Sequence, residues 1–336
     1  MPNPQLEPMT VIGAGSWGTA LAIHFARAGH PIRIWGRDHA QIQAMQRSRR
    51  NLRYLPQAEF PVALDAVEDL ARALRGACDV LVTVPSHAFR ATLLGLEPHL
   101  DSATRIAWAT KGFETATGLL PHQIAAEVFP GRPGAVLSGP TFAAEVGAGL
   151  PTAMTVASRN ERFARELVVR LSGPRFRAYT QSDIVGVEVG GAVKNVIAIG
   201  SGIADGMGFG ANTRVALITR GLAEMMRLGV ALGGKRETFM GLAGLGDLVL
   251  TCTDDQSRNR RLGLALGRGA SLADAARDIH QVVEGVEAAC AVRNVADRLG
   301  VEMPICREVY RIMHEGRPVR EALQALMARE VRSESD

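Results

Sequence analysis

Residues 9–18 read MTVIGAGSWG, the helical pattern TALAIHFARAG follows at 19–29, and a second apolar stretch, IRIWG, lies at 32–36. This order indicates a strand, a glycine-rich turn, a helix and a second strand. Gly13 permits the tight turn, Gly15 lets the backbone approach a pyrophosphate, and Gly18 lets the helix pack closely on the strand. We therefore predict a dinucleotide site at the start of this helix, where unpaired N–H groups attract phosphate. The alternative is a glycine-rich turn in an unrelated α/β protein.

The end of the second strand bears on the choice of cofactor. It continues as Gly36-Arg37-Asp38. An acidic residue at this point would bind the ribose 2′-hydroxyl of NAD, whereas an arginine would pair with the 2′-phosphate of NADP. Because Arg37 comes first, the sequence favours NADPH over NADH, with a solvated turn as the alternative.

The remaining patterns divide the chain into two halves. Strand-like stretches lie at 78–86, 104–112, 135–140 and 152–158, and helical patterns replace them after about residue 180. The fold class predicted is therefore α/β, with an N-terminal Rossmann-type doubly wound sheet in residues 1–182, followed by an all-α C-terminal domain in residues 183–336. Ligands of such sheets bind at the carboxyl ends of the strands, where Lys111 and the segment 138–141 fall.

Composition excludes several classes of protein. With 336 residues, 47% hydrophobic and 21% charged, the chain can bury a large core and is not disordered. The net charge of +4 is mild and spread out, so nucleic-acid binding is not predicted. No apolar run approaches the ~18–20 residues of a membrane helix, so we expect no membrane insertion. The four cysteines lie far apart, which favours a reducing cytoplasm and no structural metal site.

Lysine is rare, and its positions are informative. Of 38 basic residues only three are lysine: Lys111, Lys194 and Lys235. Lysine, unlike arginine, readily changes protonation when buried and can act as proton donor and acceptor. Lys194 lies in GGAVKNVIA (190–198), among small and apolar neighbours that suit an enclosed general acid/base. The alternative is a structural lysine extended along a helix–helix contact.

A carboxylate and a basic cluster follow further along the chain. Asp247 lies in the weakly polar segment GLAGLGDL (241–248) and needs a partner such as lysine, unless it caps a helix. Thr251, one helical turn later, would share its face. Ser257-Arg258-Asn259 offers hydroxyl, guanidinium and amide groups to a phosphate-like anion. A solvated basic turn is the alternative for this cluster.

Seven motifs together carry a family resemblance. They are GAGSWG (13–18), ATKGFE (109–114), SGPTFAAEV (138–146), GGAVKN (190–195), GLAGLGDLVLTC (241–252), SRN (257–259) and VVEGV (282–286). Because these motifs occur in this order, the chain closely resembles bacterial NAD(P)-dependent sn-glycerol-3-phosphate dehydrogenases, over roughly residues 9–315. The resemblance implies reversible hydride transfer between NAD(P)H and dihydroxyacetone phosphate, giving sn-glycerol 3-phosphate for glycerophospholipid synthesis.

The resemblance also implies roles for individual residues. Lys194 would be the proton donor and acceptor, with Asp247 and Asn195 orienting its amine. The cofactor positions would be Gly13, Gly15, Ser16, Trp17, Gly18, Arg37, Lys111, Ala143, Arg258, Val282 and Glu284. The substrate positions would be Lys111, Gly139, Thr141, Lys194, Asp247, Ser257, Arg258 and Asn259, with no metal. Many relatives have serine where Thr141 stands, which preserves the hydroxyl.

Two other functions fit part of the pattern. Another two-domain dehydrogenase, acting on a 3-hydroxy acid or phosphogluconate, would share the dinucleotide motif, but the SRN cluster and the GLGD segment argue against it. A non-catalytic dinucleotide-sensing module would have no use for the pair of Lys194 and Asp247. The helical half is compatible with a homodimer, although no exposed apolar stripe identifies an interface.

Overall fold

The computed structural model describes residues 7–279 and 283–328, which form two compact units. Unit 1 comprises the described residues of Met1–Glu114 and Leu119–Glu188, and unit 2 those of Thr115–Gly118 and Val189–Asp336. The strands are β1 (Met9–Ile12), β2 (Ile32–Trp35), β3 (Arg50–Asn51), β4 (Leu55–Glu59), β5 (Leu64–Ala66), β6 (Asp79–Val82), β7 (Arg105–Trp108), β8 (Gly134–Ser138), β9 (Thr152–Ala157) and β10 (Phe176–Gln181).

The helices are α1 (Ser16–Arg27), α2 (His39–Ser48), α3 (Leu70–Leu74), α4 (Ser86–Leu96), α5 (Pro121–Val128), α6 (Ala143–Ala148), α7 (Glu161–Leu171), α8 (Ile184–Gly206), α9 (Ala211–Ala231), α10 (Arg236–Phe239), α11 (Asp247–Thr253), α12 (Arg258–Gly267), α13 (Leu272–Ile279), α14 (Glu284–Leu299), α15 (Pro304–His314) and α16 (Val319–Met327). A 3₁₀ turn follows α4, and a π-helical turn, Leu242–Gly246, precedes α11.

The predicted α/β class with a doubly wound sheet is confirmed in unit 1. The eight strands lie in the order β10-β9-β8-β7-β6-β1-β2-β5. From β5 to β8 all neighbours are parallel, and the direction of strand order reverses at β1, next to β6. Ligands of doubly wound sheets bind at such a reversal, outside the carboxyl ends of the strands. The glycine-rich turn follows β1 directly, so the topology places it at this point.

Four strands escaped the sequence analysis. β5 has three residues and β3 two, so neither is long enough to show an alternating pattern. β4 and the edge strand β10 carry exposed polar residues that do not read as a buried strand. β10 pairs parallel with β9, which is itself antiparallel to β8, so the sheet extends beyond its parallel part.

The central strands of the unit 1 sheet are covered on both faces. β1 and β6 are buried at every position, which is typical of a parallel sheet between helices. Val11 and Leu81 share one core with Phe25 of α1 and Phe163 of α7. The residues directly before and after Val11 in β1 and Leu81 in β6 thus face the opposite side of the sheet.

Unit 2 contains helices and no strands among its described residues, in agreement with the predicted all-α half. One helix needs a correction to the sequence analysis: Ile184–Gly206 is long and apolar enough to cross a membrane, with a mean hydropathy of 1.4 over 18 residues. In the structure 89% of that window is buried inside the chain, as in the core helix of a globular protein. Along the chain, the boundary between the units falls within this helix, after Glu188, and the domain division at residue 183 stays a prediction.

Candidate active site

The glycine-rich turn of unit 1 is shaped by contacts at two of its glycines and by open space at the third. Gly13 has φ +115°, and a Cβ on Gly18 would overlap the Gly13 carbonyl oxygen. A Cβ on Gly15 would meet no described atom within 4 Å. Packing within the described chain therefore does not require glycine at position 15, whereas close approach of a pyrophosphate does.

Two further side chains adjoin this turn. The Thr83 hydroxyl, just after β6, lies 3.0 Å from the carbonyl oxygens of both Ile12 and Gly13 and holds the turn against the neighbouring strand. Ser16 and Trp17 begin α1, and the Trp17 indole nitrogen is buried without a hydrogen-bond partner among the described residues. A buried donor of this kind is costly unless a ligand satisfies it.

Asp38, the acidic residue that could bind a ribose hydroxyl, already makes contacts within the protein. Asp38 caps α2, its Oδ1 accepting from the Gln41 backbone N–H at 3.0 Å, and its Oδ2 lies 3.3 Å from Arg53 Nη1. Arg37 is exposed immediately after β2. Asp38 is thus already engaged by Arg53 and by the start of α2, and the exposed Arg37 precedes it directly in the chain.

The other predicted residues of unit 1 lie at the same edge of the sheet. Lys111 follows the end of β7, while Gly139 and Thr141 follow β8, its neighbour. Gly139 has φ +152°, and the Thr141 hydroxyl donates to the Gly139 carbonyl at 3.3 Å. Ala143 begins α6. The Ser138 hydroxyl, which the sequence analysis did not assign, is buried without a partner among the described residues.

In unit 2, Lys194 and Asp247 form a buried ion pair. Lys194 on α8 is 7% exposed and Asp247 is 1% exposed, and Lys194 Nζ lies 2.5 Å from Asp247 Oδ1. Lys194 Nζ also donates to the Thr251 hydroxyl oxygen at 3.0 Å. The Thr251 hydroxyl in turn donates to the Asp247 backbone carbonyl at 2.6 Å, so its oxygen lone pair is directed at the ammonium.

Glycines explain how the sequence brings these groups together. A Cβ on Gly190 of α8 would overlap the carbonyl oxygen of Ala243 in the π-helical turn, so the two backbones are in direct contact there. The turn ends at Gly246, and α11 begins at Asp247, so the carboxylate points from the first turn of α11 toward α8. Burial raises the pKa of the adjacent Cys252 thiol to about 12, so this group stays neutral and is not a nucleophile.

Polar residues from three helices meet next to Lys194. Asn195 donates from Nδ2 to Glu284 Oε2 at 3.3 Å, and Asn259 Oδ1 accepts from the Gly285 backbone N–H at 2.9 Å. A Cβ on Gly285 would lie 2.6 Å from Asn259 Oδ1 and 3.0 Å from the Asn195 carbonyl oxygen, so only glycine fits. The contact joins the start of α14 to α8 and α12.

Ser257 and Arg258 complete this cluster. Ser257 caps α12, with its hydroxyl oxygen accepting from the Arg260 N–H at 3.2 Å. Arg258, the first residue of α12, is about one-third exposed, and its Nη2 lies 3.9 Å from Glu284 Oε1. Glu284 thus links Arg258 to Asn195, which follows Lys194 in α8. A partly exposed guanidinium at a helix N-terminus can bind a phosphate group.

The predicted residues thus fall into one group in each unit. Unit 2 brings together the catalytic and substrate-binding candidates with the cofactor candidate Glu284; the former are Lys194, Asn195, Asp247, Ser257, Arg258 and Asn259. Unit 1 holds the glycine-rich turn together with Arg37, Lys111, Gly139, Thr141 and Ala143. Val282 lies outside the described residues. No group of three or more potential metal ligands is found in residues 7–279 and 283–328.

Sequence reasoning missed Thr83, Gly285 and Asp205, which contact the predicted residues or their neighbours. Thr83 and Asp205 lie far in sequence from Gly13 and Arg260, which they contact, and no local motif marks them. Only Gly285 lay inside a motif already noted, VVEGV, where its glycine could have suggested a close approach of backbones.

Comparisons with known proteins agree along the whole chain. Residues 8–164 match the family model for the N-terminus of NAD-dependent glycerol-3-phosphate dehydrogenase, and residues 183–324 match that for its C-terminus. A glycerol-3-phosphate dehydrogenase [NAD(P)+] of Thioalkalivibrio sulfidiphilus is 55% identical over 97% of this chain and 98% of that protein. One from Edwardsiella ictaluri is 55% identical over 97% of each. The crystal structure of a glycerol-3-phosphate dehydrogenase from Coxiella burnetii has a TM-score of 0.94 and 48% identity, over 96% of this chain and 99% of that one.

Proposed function

The chain belongs to the NAD-dependent glycerol-3-phosphate dehydrogenase family, and from this premise we propose that it interconverts dihydroxyacetone phosphate and sn-glycerol 3-phosphate with NAD(P)H. The observation that carries the proposal within the structure is the buried Lys194–Asp247–Thr251 group beside Asn195, Asn259 and Arg258. It combines a proton donor with groups that recognise a phosphate, which is what this substrate requires.

The residues of unit 1 fit a dinucleotide. The N-terminus of α1 would hold the pyrophosphate above Gly15. The Trp17 N–H, which has no partner in the part of the chain that the structure describes, would donate to the cofactor. The reduced nicotinamide, when bound, supplies the hydride. The proposed roles of Ser16, Lys111 and Ala143 at the cofactor, and of Gly139 and Thr141 at the substrate, rest on the family resemblance.

Lys194 is proposed as the proton donor in the direction of reduction. Its ammonium would transfer a proton to the carbonyl oxygen of dihydroxyacetone phosphate as that oxygen gains negative charge. Asp247 and Thr251 fix the position of Nζ by accepting hydrogen bonds at 2.5 and 3.0 Å. In the reverse direction the neutral amine would take the hydroxyl proton of sn-glycerol 3-phosphate.

Arg258 is proposed as the main phosphate ligand, with Asn259 and Ser257 beside it. The N–H groups at the start of α12 add positive potential at the same place. Asn195 would orient the Lys194 segment through its hydrogen bond to Glu284. In this assignment the residues of α8 and α11 transfer and position the proton, and the residues of α12 bind the phosphate.

NADPH is proposed as the preferred cofactor. Asp38 already caps α2 and pairs with Arg53, so its carboxylate is less able to bind a ribose 2′-hydroxyl. Arg37 next to it would pair with a 2′-phosphate. The ratio of kcat/KM for NADPH to that for NADH tests this choice: Arg37→Ala should lower the ratio, and an unchanged ratio would contradict it.

The proposed reaction is tested by the loss of reduced-nicotinamide absorbance with dihydroxyacetone phosphate, with NADH and NADPH measured separately. Turnover with either cofactor supports the proposal. A 3-hydroxy acid and 6-phosphogluconate serve as alternative substrates in the reverse assay, in which the same absorbance rises with NAD+ or NADP+. Turnover with one of these and none with dihydroxyacetone phosphate would indicate another dehydrogenase, and tight cofactor binding without any turnover would indicate a sensor.

We also propose that the chain forms a homodimer and is cytoplasmic. Its product, sn-glycerol 3-phosphate, would supply glycerophospholipid synthesis. An apolar groove of about 1070 Å³ lies in unit 2 between α9, α15 and α16. Its lining includes apolar residues such as Ile203, Leu217 and Ile312, so a second copy of the chain could cover an apolar surface there. The four cysteines are free thiols, as in proteins of a reducing compartment. Light scattering during size-exclusion chromatography should give twice the 35.9 kDa chain mass, and a monomer mass would contradict this proposal.

A further inference from the structure

Four glycines place the backbones of α8 and α12 in direct contact. On each helix two glycines lie four residues apart, and therefore on one face. A Cβ at any of them would overlap a carbonyl oxygen of the other helix: Gly202 with Arg260, Gly206 with Leu264, Gly263 with Ile199, and Gly267 with Ile203. No side chain separates the two helices along this line, which we call the glycine seam.

The seam determines what lies beside the catalytic lysine. Residue numbers rise together on both helices along the seam, so α8 and α12 run parallel. The N-terminal turn of α12, Ser257 to Asn259, is therefore beside the part of α8 that starts at Asn195. The close contacts of Gly285 with Asn259 Oδ1 and the Asn195 carbonyl oxygen agree with this placement. The register between α8 and α12 thus sets the position of the phosphate-binding turn relative to Lys194.

The glycine seam brings the two backbones together but contributes no side-chain contact of its own, so side chains beside it can add to the constraint on the register of the helices. One buried ion pair provides such a constraint. Arg260 of α12 is 7% exposed and donates through Nη1 to Oδ2 of Asp205, near the end of α8. The Asp205 carboxylate also accepts from Arg214 Nε at 3.0 Å. Asp255, by contrast, pairs with Arg260 Nε at 2.9 Å from an exposed position.

From this geometry we infer that Asp205 is a positioning residue: through Arg260 it fixes the height of the phosphate-binding turn of α12 relative to Lys194 on α8. The inference rests on the proposed function. A slip of one residue along a helix is a translation of about 1.5 Å, and a misplacement of about 1 Å can reduce the rate about a hundredfold. Asp205 itself need not touch substrate or cofactor.

The test compares Asp205→Asn with wild type, using dihydroxyacetone phosphate and the unphosphorylated dihydroxyacetone as substrates with NADPH. We expect kcat/KM for dihydroxyacetone phosphate to fall about ten- to a hundredfold. The slow rate with dihydroxyacetone should stay within about twofold, because this substrate has no phosphate for the α12 turn to bind. The KM for NADPH is measured alongside, because Arg258 is also a cofactor candidate. If Asp205→Asn does not fold, Asp205→Glu keeps the charge and displaces Arg260 by one methylene, and the same selective loss is expected.

Asp255→Asn is the matched control, because Asp255 pairs with the same Arg260 but its side chain is 72% exposed; it should behave like wild type. An equal loss with both substrates would show a merely structural role for Asp205, and no loss at all would show that the ion pair does not set the register. Either result overturns the inference. If wild type itself does not reduce dihydroxyacetone phosphate, the proposed function fails first, and the two failures are therefore distinguishable.

Discussion

At the scale of single residues, the direction of hydrogen bonds around Lys194 matters as much as its burial. Thr251 gives its proton to the Asp247 carbonyl at 2.6 Å and can only accept from Nζ at 3.0 Å. Asp247 accepts from the same ammonium. The site therefore positions a lysine through two acceptors, which keeps its charge compensated in a buried place.

Arg258→Ala should raise the KM for dihydroxyacetone phosphate about 10- to 100-fold, because a charged hydrogen-bond donor contributes about 1.5–3 kcal/mol to binding an anion. Arg258 also lies 3.9 Å from Glu284, and both residues are cofactor candidates, so the KM for NADPH is measured separately. Arg261→Ala removes a neighbouring exposed arginine of α12 and is the control. Steady-state kinetics with varied substrate measure the effect, and a change confined to kcat would count against phosphate binding by Arg258.

At the scale of elements, the glycine-rich turn separates a structural glycine from a ligand-binding glycine. Gly18→Ala would overlap the Gly13 carbonyl oxygen and approach the Thr83 hydroxyl, so it should lower the free energy of unfolding by about 1–3 kcal/mol. Gly15→Ala faces open space with φ −79°, so the fold should keep its stability. Its methyl group would occupy the phosphate position and raise the Kd for NADPH about tenfold or more. A tenfold rise corresponds to a loss of about 1.4 kcal/mol of binding free energy. Denaturant unfolding and fluorescence titration measure the two effects, and unchanged NADPH affinity in Gly15→Ala would remove the turn as the pyrophosphate site.

The N-terminus of α15 depends on a buried carboxyl group. Glu224 accepts from the Ile305 and Cys306 N–H groups at 2.6 and 3.1 Å. Burial raises its pKa from 4.5 to about 7 despite these bonds. Because the folded state then binds the proton more tightly than the unfolded chain, this group's contribution to stability declines as pH rises from about 4.5 through 7.

Glu224→Gln should remove that dependence. The difference in unfolding free energy, wild type minus variant, should fall by about 2–3 kcal/mol between about pH 5 and pH 8, which follows from the raised pKa. Urea unfolding at several pH values measures it, with Glu237→Gln, an exposed position, controlling for the loss of one negative charge. A difference that is constant with pH would mean that Glu224 does not titrate in this range.

At the scale of the whole molecule, the sequence was informative where local patterns encode the structure. The βαβ signal at Gly13–Gly18 predicted the sheet, and Asp247 in a weakly polar segment predicted a partner such as lysine, which is Lys194. Short strands such as Leu64–Ala66 escaped because three residues carry no period. The Asp205–Arg260 ion pair and the Thr83 contact escaped because their partners are 55 or more positions away, and only tertiary packing joins them.

The central claim is that this chain reduces dihydroxyacetone phosphate with Lys194 as its proton donor. Lys194→Met is compared with wild type for kcat in that reaction and for NADPH binding by fluorescence. Because the substitution leaves the Asp247 carboxylate buried without its cation, the double variant Lys194→Met/Asp247→Asn is measured alongside it.

We predict that kcat falls about 10²- to 10⁴-fold in both variants, while the Kd for NADPH stays within about twofold of wild type. A kcat within tenfold of wild type, with NADPH bound normally, would contradict the role of Lys194 and with it the account of the site.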